Sequence, residues 1–409
     1  MQLLVLAAAL ACSSALRCSP AARATTRCAA VASNPMADMM KAAQILGYEA
    51  SAAVISAKIS AKMDAKGDAL PASMVAIVQE FLRTYLLVVA RDGDDPMLKV
   101  PVLKQYLELV EDQIKAPFAF EPYHKAWAAE AEVDHLLMDT DFMAPLLDRA
   151  DSRLSGLANL ERIQAQLAAG DNVVLLSNHQ TEADPSAWSF ILDPVDATLS
   201  RRMIMVAGDR VTTDPVAVPF SKGRNLLCIY SKRHMENPPE DKPRKMRHNA
   251  KTMSAMLGLF REGGKLIWVA PSGGRDRPDS ETDKYACAPF DAKSVDMFRL
   301  MSSKAKTTKT HFYPVAMMTH RLFPPPKKLT PGALGEPRIA MKGSVNVAFG
   351  DEIDFGAAAA TAGDGAVAAA PDADAARDAA ALRAHGAVQQ LYAGLVADAV
   401  QRKSPYYDN

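Results

Sequence analysis

A chain of 409 residues is long enough for one large core or two domains. Its 47 Lys and Arg balance 47 Asp and Glu, which excludes a protein whose whole surface binds nucleic acid but leaves room for local basic patches. Three of the five cysteines, Cys12, Cys18 and Cys28, fall in a leading segment expected to be removed. The remaining pair, Cys228 and Cys287, supports neither a disulfide framework nor a cysteine zinc site, and reduced, partly buried thiols are expected.

Residues 3–16 form a short apolar run ending in small residues, too short to span a membrane comfortably. The run reads as a signal-peptide core. Residues 17–34 carry Arg17, Arg23 and Arg27, several Ser and Thr, and no acidic residue. Residues 1–34 thus resemble the two-part presequences that reach plastids lying inside the endomembrane system, which implies the plastid stroma. A plain secretory signal is the alternative.

From 35 to 122 the pattern is helical and defines a helical bundle domain. Ile77, Phe81, Tyr85 and Val88 recur at helical steps, as do Tyr106, Val110 and Ile114, with turns at Gly67-Asp68 and from Arg91 to Pro96. These stripes are read as core, and no catalytic constellation is present.

Residues 123–409 alternate strands with helices. A helix is expected over 157–167, then a buried strand from Val173 ending at His179, then a helix with Asp184 as N-cap and Pro185 as first residue. Further strands are expected at 203–207, 226–230, 266–270 and 312–316. An amphipathic helix over 243–263 has Met246, Ala250, Met253, Leu257 and Phe260 on one face and ends at Gly263-Gly264. Residues 338–353 read as a hairpin or paired strands at the sheet edge. The Ala/Gly/Asp tract over 355–381 reads as a flexible insertion or weak helix, and helical periodicity returns at 382–400. The fold class expected is α/β: a helical bundle followed by a larger domain with a mixed central sheet flanked by helices. No run after residue 34 is long and apolar enough to span a membrane, so a soluble mature chain is expected.

The chemistry gathers at strand ends. Between the strand entering Ser177 and the helix leaving Pro185, the turn puts His179 and Asp184 at one lip of the sheet. The loop between them is long enough to fold back so that the carboxylate fixes one ring nitrogen and leaves the other basic, as a general base requires. With no Ser or Cys nucleophile beside it, His179 would activate a hydroxyl of the substrate. Asp184 as a mere helix cap is the alternative. Beyond the 226–230 strand, Ser231-Lys232-Arg233-His234 suits a phosphate or is a solvated charge run. Beyond the 266–270 strand, Gly273-Gly274 permits a tight path, and Arg275 and Arg277 could grip a phosphate bidentately or lie on a surface turn neutralised by Asp276. Three such loops on one sheet suggest a single cleft for a phosphorylated alcohol. His179 and Glu182 lack a third ligand at sensible spacing, so no metal is expected.

These residues carry a resemblance. Asn178-His179, four residues, then Asp184-Pro185 looks like the first motif of the glycerolipid acyltransferase superfamily. The strings SNHQTEADP, YSKRHM, LIWVAPSGGRDRPD and FYPVAMMTH resemble the soluble, plastid-type glycerol-3-phosphate acyltransferases of plants and algae. The likeness runs from about Pro35 to the C-terminus, apart from the Ala-rich tract. It implies transfer of a fatty acyl group from acyl-acyl carrier protein or acyl-CoA to the sn-1 hydroxyl of glycerol 3-phosphate, without metal or cofactor. His179 would be the base, Asp184 its partner, and Arg233, His234, Arg275 and Arg277 the phosphate pocket. Arg233 departs from the family, where plant members have lysine, and Lys232 next door could serve instead. An acidic carrier protein would want a basic surface: 242–247 or Lys304, Lys306 and Lys309, either of which could equally be solvated charge. A lysophosphatidate acyltransferase and a non-catalytic anion- or lipid-binding protein of the same fold are the rival readings.

Overall fold

A computed structural model describes residues 35–64, 72–126, 133–327, 336–355 and 373–407. Its contacts divide the chain into two units, Met1–Ala43 and Gln44–Asn409. Of the first unit, residues 35–43 are described, and they are helical. The expected presequence over 1–34, the turn at Gly67-Asp68 and the 356–372 part of the Ala-rich tract lie outside the described residues.

Three long helices, α1 (Pro35–Asp64), α2 (Ala72–Arg91) and α3 (Val100–Lys115), precede β1 (Tyr123–His124). Next come α4 (His135–Met143), β2 (Arg153–Ser155), α5 (Leu157–Ala168), β3 (Asn172–Ser177), α6 (Asp184–Arg202), β4 (Ile204–Gly208), α7 (Asp209–Thr213), α8 (Val218–Ser221) and β5 (Asn225–Ile229). The chain continues through α9 (Lys232–Met235), α10 (Lys242–Glu262), β6 (Leu266–Val269), α11 (Ala292–Ala305), β7 (Thr310–Met318), β8 (Asn346–Phe349) and α12 (Ala373–Gln401).

The strands form one eight-stranded mixed sheet in the order β1-β5-β4-β6-β3-β7-β8-β2. From β5 to β7 every neighbouring pair is parallel. The edges add antiparallel pairings of β1 with β5 and β8 with β7. The carboxyl ends of β3 to β7 therefore open on one edge, where an open α/β sheet holds its ligand.

Side-chain alternation sorts the strands onto two cores. Val173, Leu175, Leu266, Trp268, Tyr313 and Val315 face one, with Phe81, Tyr85 and Tyr106 of α2 and α3 and Phe142 of α4. Val174, Leu176, Ile267, Val269, Phe312 and Ala316 face the other, with Met256, Phe298 and Tyr392 of α10, α11 and α12. The α2–α3 stripe is knitted to the sheet side by rings: Phe81 stacks on Phe142 at 5.8 Å, and Tyr106 donates to the Val216 carbonyl at 3.1 Å.

Four local expectations need correction. Asp184 is the first residue of α6 and Ala183 its cap; the Asp184 carboxylate turns back onto the loop amides rather than capping the helix. In α10 the buried face is Lys245, Thr252, Met256, Leu259 and Phe260, while Met246 is exposed. The true stripe leads the expected one by about one residue, roughly 100° of helix: Met256, Leu259 and Phe260 enter the core, and Lys245 on the same side donates to the His234 carbonyl at 2.7 Å and to the Asn237 carbonyl. Residues 338–353 are no hairpin: a single strand, β8, lies there, inserted between β7 and β2. Finally, the tract read as a flexible insertion or weak helix is helical from Ala373, where α12 begins, and it buries Ala380 and Ala381, which a flexible insertion would not. Among the described residues no helix is long and apolar enough to cross a membrane.

Candidate active site

The chain leaves β3 under tight side-chain control. Asn178 is fully buried and continues the ladder with its amide: Oδ1 accepts from the Met317 amide at 2.8 Å and Nδ2 donates to the Met317 carbonyl at 2.9 Å. A side chain replaces the backbone here, so the strand stops at Ser177, two residues before the expected end. Gln180 Oε1 accepts from the amides of Thr319 and His320. Both residues tie the β3 loop to β7, and the loop between them presents His179.

His179 Nδ1 lies 2.7 Å from Asp184 Oδ2, with the imidazole a quarter exposed and the carboxylate fully buried. The same oxygen accepts from the Gln180 amide at 2.8 Å and, more weakly, the Thr181 amide at 3.3 Å. Thr319 Oγ1 donates to Oδ1. Four donors, counting Nδ1, fix the carboxylate in place. A carboxylate can only accept from Nδ1, so Nδ1 carries the proton and Nε2 is the basic nitrogen. The edge of Trp268 packs against the imidazole at 5.7 Å between centroids.

The arginines converge beside this loop. Gly273 takes φ +67°, a left-handed turn that suits glycine and brings Arg275 and Arg277 back over the sheet end. Arg275 bonds Glu336 through Nη2 and approaches Glu182 Oε1 at 3.4 Å. Arg277 reaches Glu336 Oε1 at 3.4 Å and the Pro326 carbonyl. Arg210 of α7 reaches the same Oε1 at 3.0 Å. Arg338 grips Glu182 with Nε at 2.7 Å and Nη2 at 3.2 Å and takes Asp214 at 2.7 Å. Burial pushes the Glu182 carboxyl upward, yet the charges of Arg338 and Arg275 outweigh it and hold the group below its ordinary value. Asp276, which accepts from Asn178 and the Ala288 amide, is pushed up to about 6 by burial.

His234 donates from Nδ1 to both oxygens of Asp209, at 2.9 and 3.0 Å. Asp209, which accepts from His234, and Arg210, which reaches Glu336, are consecutive residues of α7. The side chains of Lys232 and Arg233 lie outside the described residues. Asp276, offered as a neutraliser of Arg275 and Arg277, instead faces inward to Asn178 and Gln180. Sequence reasoning missed Arg210, Glu182 as an ion-pair partner, Glu336 and Arg338. Gly208-Asp209-Arg210 follows a strand just as the other loops do, and that signal would have found Arg210. Nothing local marks Glu336 or Arg338.

A strand-end His/Asp pair beside clustered guanidiniums resembles a known class: residues 154–318 match the family model described as Acyltransferase. The particular relatives are chloroplastic glycerol-3-phosphate acyltransferases. That of Cucurbita moschata is 37% identical over 71% of this chain and 63% of its own length. That of Phaseolus vulgaris is 36% identical over 71% and 63%, and that of Spinacia oleracea 39% identical over 61% and 52%. The chain thus spans less than two thirds of the length of these relatives.

Proposed function

We propose that the protein is a glycerol-3-phosphate 1-O-acyltransferase, moving a fatty acyl group from acyl-acyl carrier protein or acyl-CoA to the sn-1 hydroxyl of glycerol 3-phosphate to give lysophosphatidate. One observation carries the reading: Arg275 reaches Glu182, three residues beyond His179 on the same loop. That approach supports a phosphate clamp beside the loop that carries the base. His179 Nε2 takes the hydroxyl proton as the alcohol oxygen attacks the thioester carbonyl. The tetrahedral oxyanion collapses with cleavage of the C–S bond, and the thiolate leaves with the proton returned from His179. Asp184 orients the imidazole and stabilises its charged form. Arg275 and Arg277, with His234 and Arg233 or Lys232, hold the phosphate. Such anchoring supplies on the order of several kcal/mol of the barrier by positioning the hydroxyl.

The names of the relatives support a plastid location, and the stroma is the compartment proposed, reached through a presequence at 1–34. The organisation proposed is that presequence, a helical domain over 35–122 and a catalytic domain over 123–409. For a carrier protein, exposed Lys304, Lys306 and Lys309 form the docking surface proposed. The 242–247 run is less suited, since Lys245 is buried and Arg244 is paired with Asp241. Charge reversal at the three lysines is expected to raise KM for the carrier-linked donor and spare acyl-CoA; equal effects on both would remove the assignment.

The test of the reaction supplies acyl-CoA with glycerol 3-phosphate, lysophosphatidate or no acceptor and follows thiol release. Release dependent on glycerol 3-phosphate is expected. Release with lysophosphatidate alone would move the protein to the second acylation step, and no acceptor-dependent release would leave an anion- or lipid-binding role.

A further inference from the structure

Arg210, Arg275 and Arg277 all end on one carboxylate. Glu336 Oε1 accepts from Arg210 at 3.0 Å and lies 3.4 Å from Arg277, while Oε2 takes Arg275. Glu336 is 5% exposed, so water does little to balance the charge. Three guanidiniums meet on Glu336, and with Arg338 the cluster sets four guanidiniums against the three carboxylates Glu336, Glu182 and Asp214, leaving positive charge in excess. A phosphate monoester brings about −1.5 to −2 at neutral pH and three acceptor oxygens, which matches three planar forks better than a carboxylate does. A phosphate on Arg275 and Arg277 competes with Glu336 for the same N–H donors, and anions crowded on shared forks away from water repel one another.

We infer that Arg210 is a third arginine ligand of the acceptor's phosphate, and that Glu336 occupies this phosphate site in the ligand-free protein and is displaced when phosphate binds. The inference rests on the acceptor being a phosphorylated alcohol. Arg210 is 44% exposed at its side chain, so it is free to follow the incoming anion. Glu336 then acts as a positioning residue: it holds the three forks together and screens their mutual repulsion until substrate arrives. A side chain that must be expelled also sets specificity, since a neutral alcohol such as glycerol has no charge with which to expel it.

The test titrates inorganic phosphate, then glycerol 3-phosphate, into the full chain and into Arg210→Gln, Glu336→Gln and Glu336→Asp, reading heat of binding and the shift in melting temperature. Losing one charge-assisted contact is expected to weaken phosphate about tenfold in Arg210→Gln. Removing the competitor is expected to tighten phosphate about tenfold in Glu336→Gln, with a smaller gain in Glu336→Asp, whose shorter side chain withdraws from the forks. Glu336→Gln should also melt lower without phosphate and recover more on adding it, a readout that a merely structural glutamate would not give. Unchanged phosphate affinity in Arg210→Gln, or unchanged or weaker affinity in both Glu336 variants, overturns the inference. Phosphate binding needs no acyl donor, so these outcomes stand apart from the acyl-transfer assay.

Discussion

Two of the ionic clusters among the described residues are built differently. Below α6, Arg224 bonds Asp139, and both are at least nine-tenths buried. Asp139 also accepts from Ser186 at 2.7 Å, and Arg224 donates to Ser189 at 2.6 Å. Here one cation meets one anion. At the sheet end three arginines share Glu336. The contrast teaches that a charge-matched buried pair is finished as it stands, whereas cations in excess of anions mark a place where an anionic ligand completes the structure. Substitutions in the first cluster should therefore change stability alone, and those in the second should change phosphate binding as well.

The largest expected effect is at the base. His179→Ala should lower turnover by about 10²–10⁴-fold, the usual worth of general base catalysis, with phosphate binding and melting temperature near the parent's. A collapse in melting temperature instead would show that the imidazole is a structural group. Next, Arg224→Leu leaves Asp139 buried without its cation and should cost about 3–5 kcal/mol of unfolding free energy, read by denaturant titration, while phosphate affinity stays put. Met256→Ala should cost about 2–5 kcal/mol because that residue is fully buried, against less than about 0.5 kcal/mol for exposed Met246→Ala. This pair checks the phase of α10.

A smaller effect is the pH response. Asp276, raised to about 6 by burial, takes up a proton in the folded state before the unfolded chain does. Its contribution therefore strengthens the fold as pH falls from about 6 towards the ordinary aspartate value of 3.8. His320 works the opposite way: burial lowers it to about 4 from 6.5, so the unfolded chain binds its proton first and stability is lost as pH falls through that window. Asp276→Asn removes the compensating group. Its unfolding free energy should fall more steeply than the parent's between pH 6 and 4, by roughly 2 kcal/mol; parallel pH profiles would contradict the raised carboxyl.

The sequence made the His179 loop legible because its parts are neighbours. The apolar run of β3, the imidazole, the carboxylate and Pro185 sit within one short stretch, and the contact between His179 and Asp184 is local. The same holds for β3 to β7, whose buried apolar runs are marked by composition. What was not legible depends on distant partners. Arg275 and Glu336 are 61 positions apart, and Glu182 and Arg338 are 156 apart. No periodicity announces such pairs. Met246 shows the same limit: the helical pattern gives a stripe, but whether Lys245 or Met246 turns inward depends on the distant His234 and Asn237 carbonyls that accept from Lys245. The β8 strand looked like half of a hairpin because only the sheet as a whole shows that its neighbours are β7 and β2.

The account stands on the clamp delivering a hydroxyl to His179, and substrate preference tests that link most directly. The measurement is kcat/KM for glycerol 3-phosphate relative to glycerol, in the parent and in Arg275→Gln with Arg277→Gln. The account predicts that the preference collapses by about 100-fold or more while the slow rate with glycerol is retained. An undiminished preference in the double variant would contradict it, for the phosphate would then be held elsewhere than beside His179.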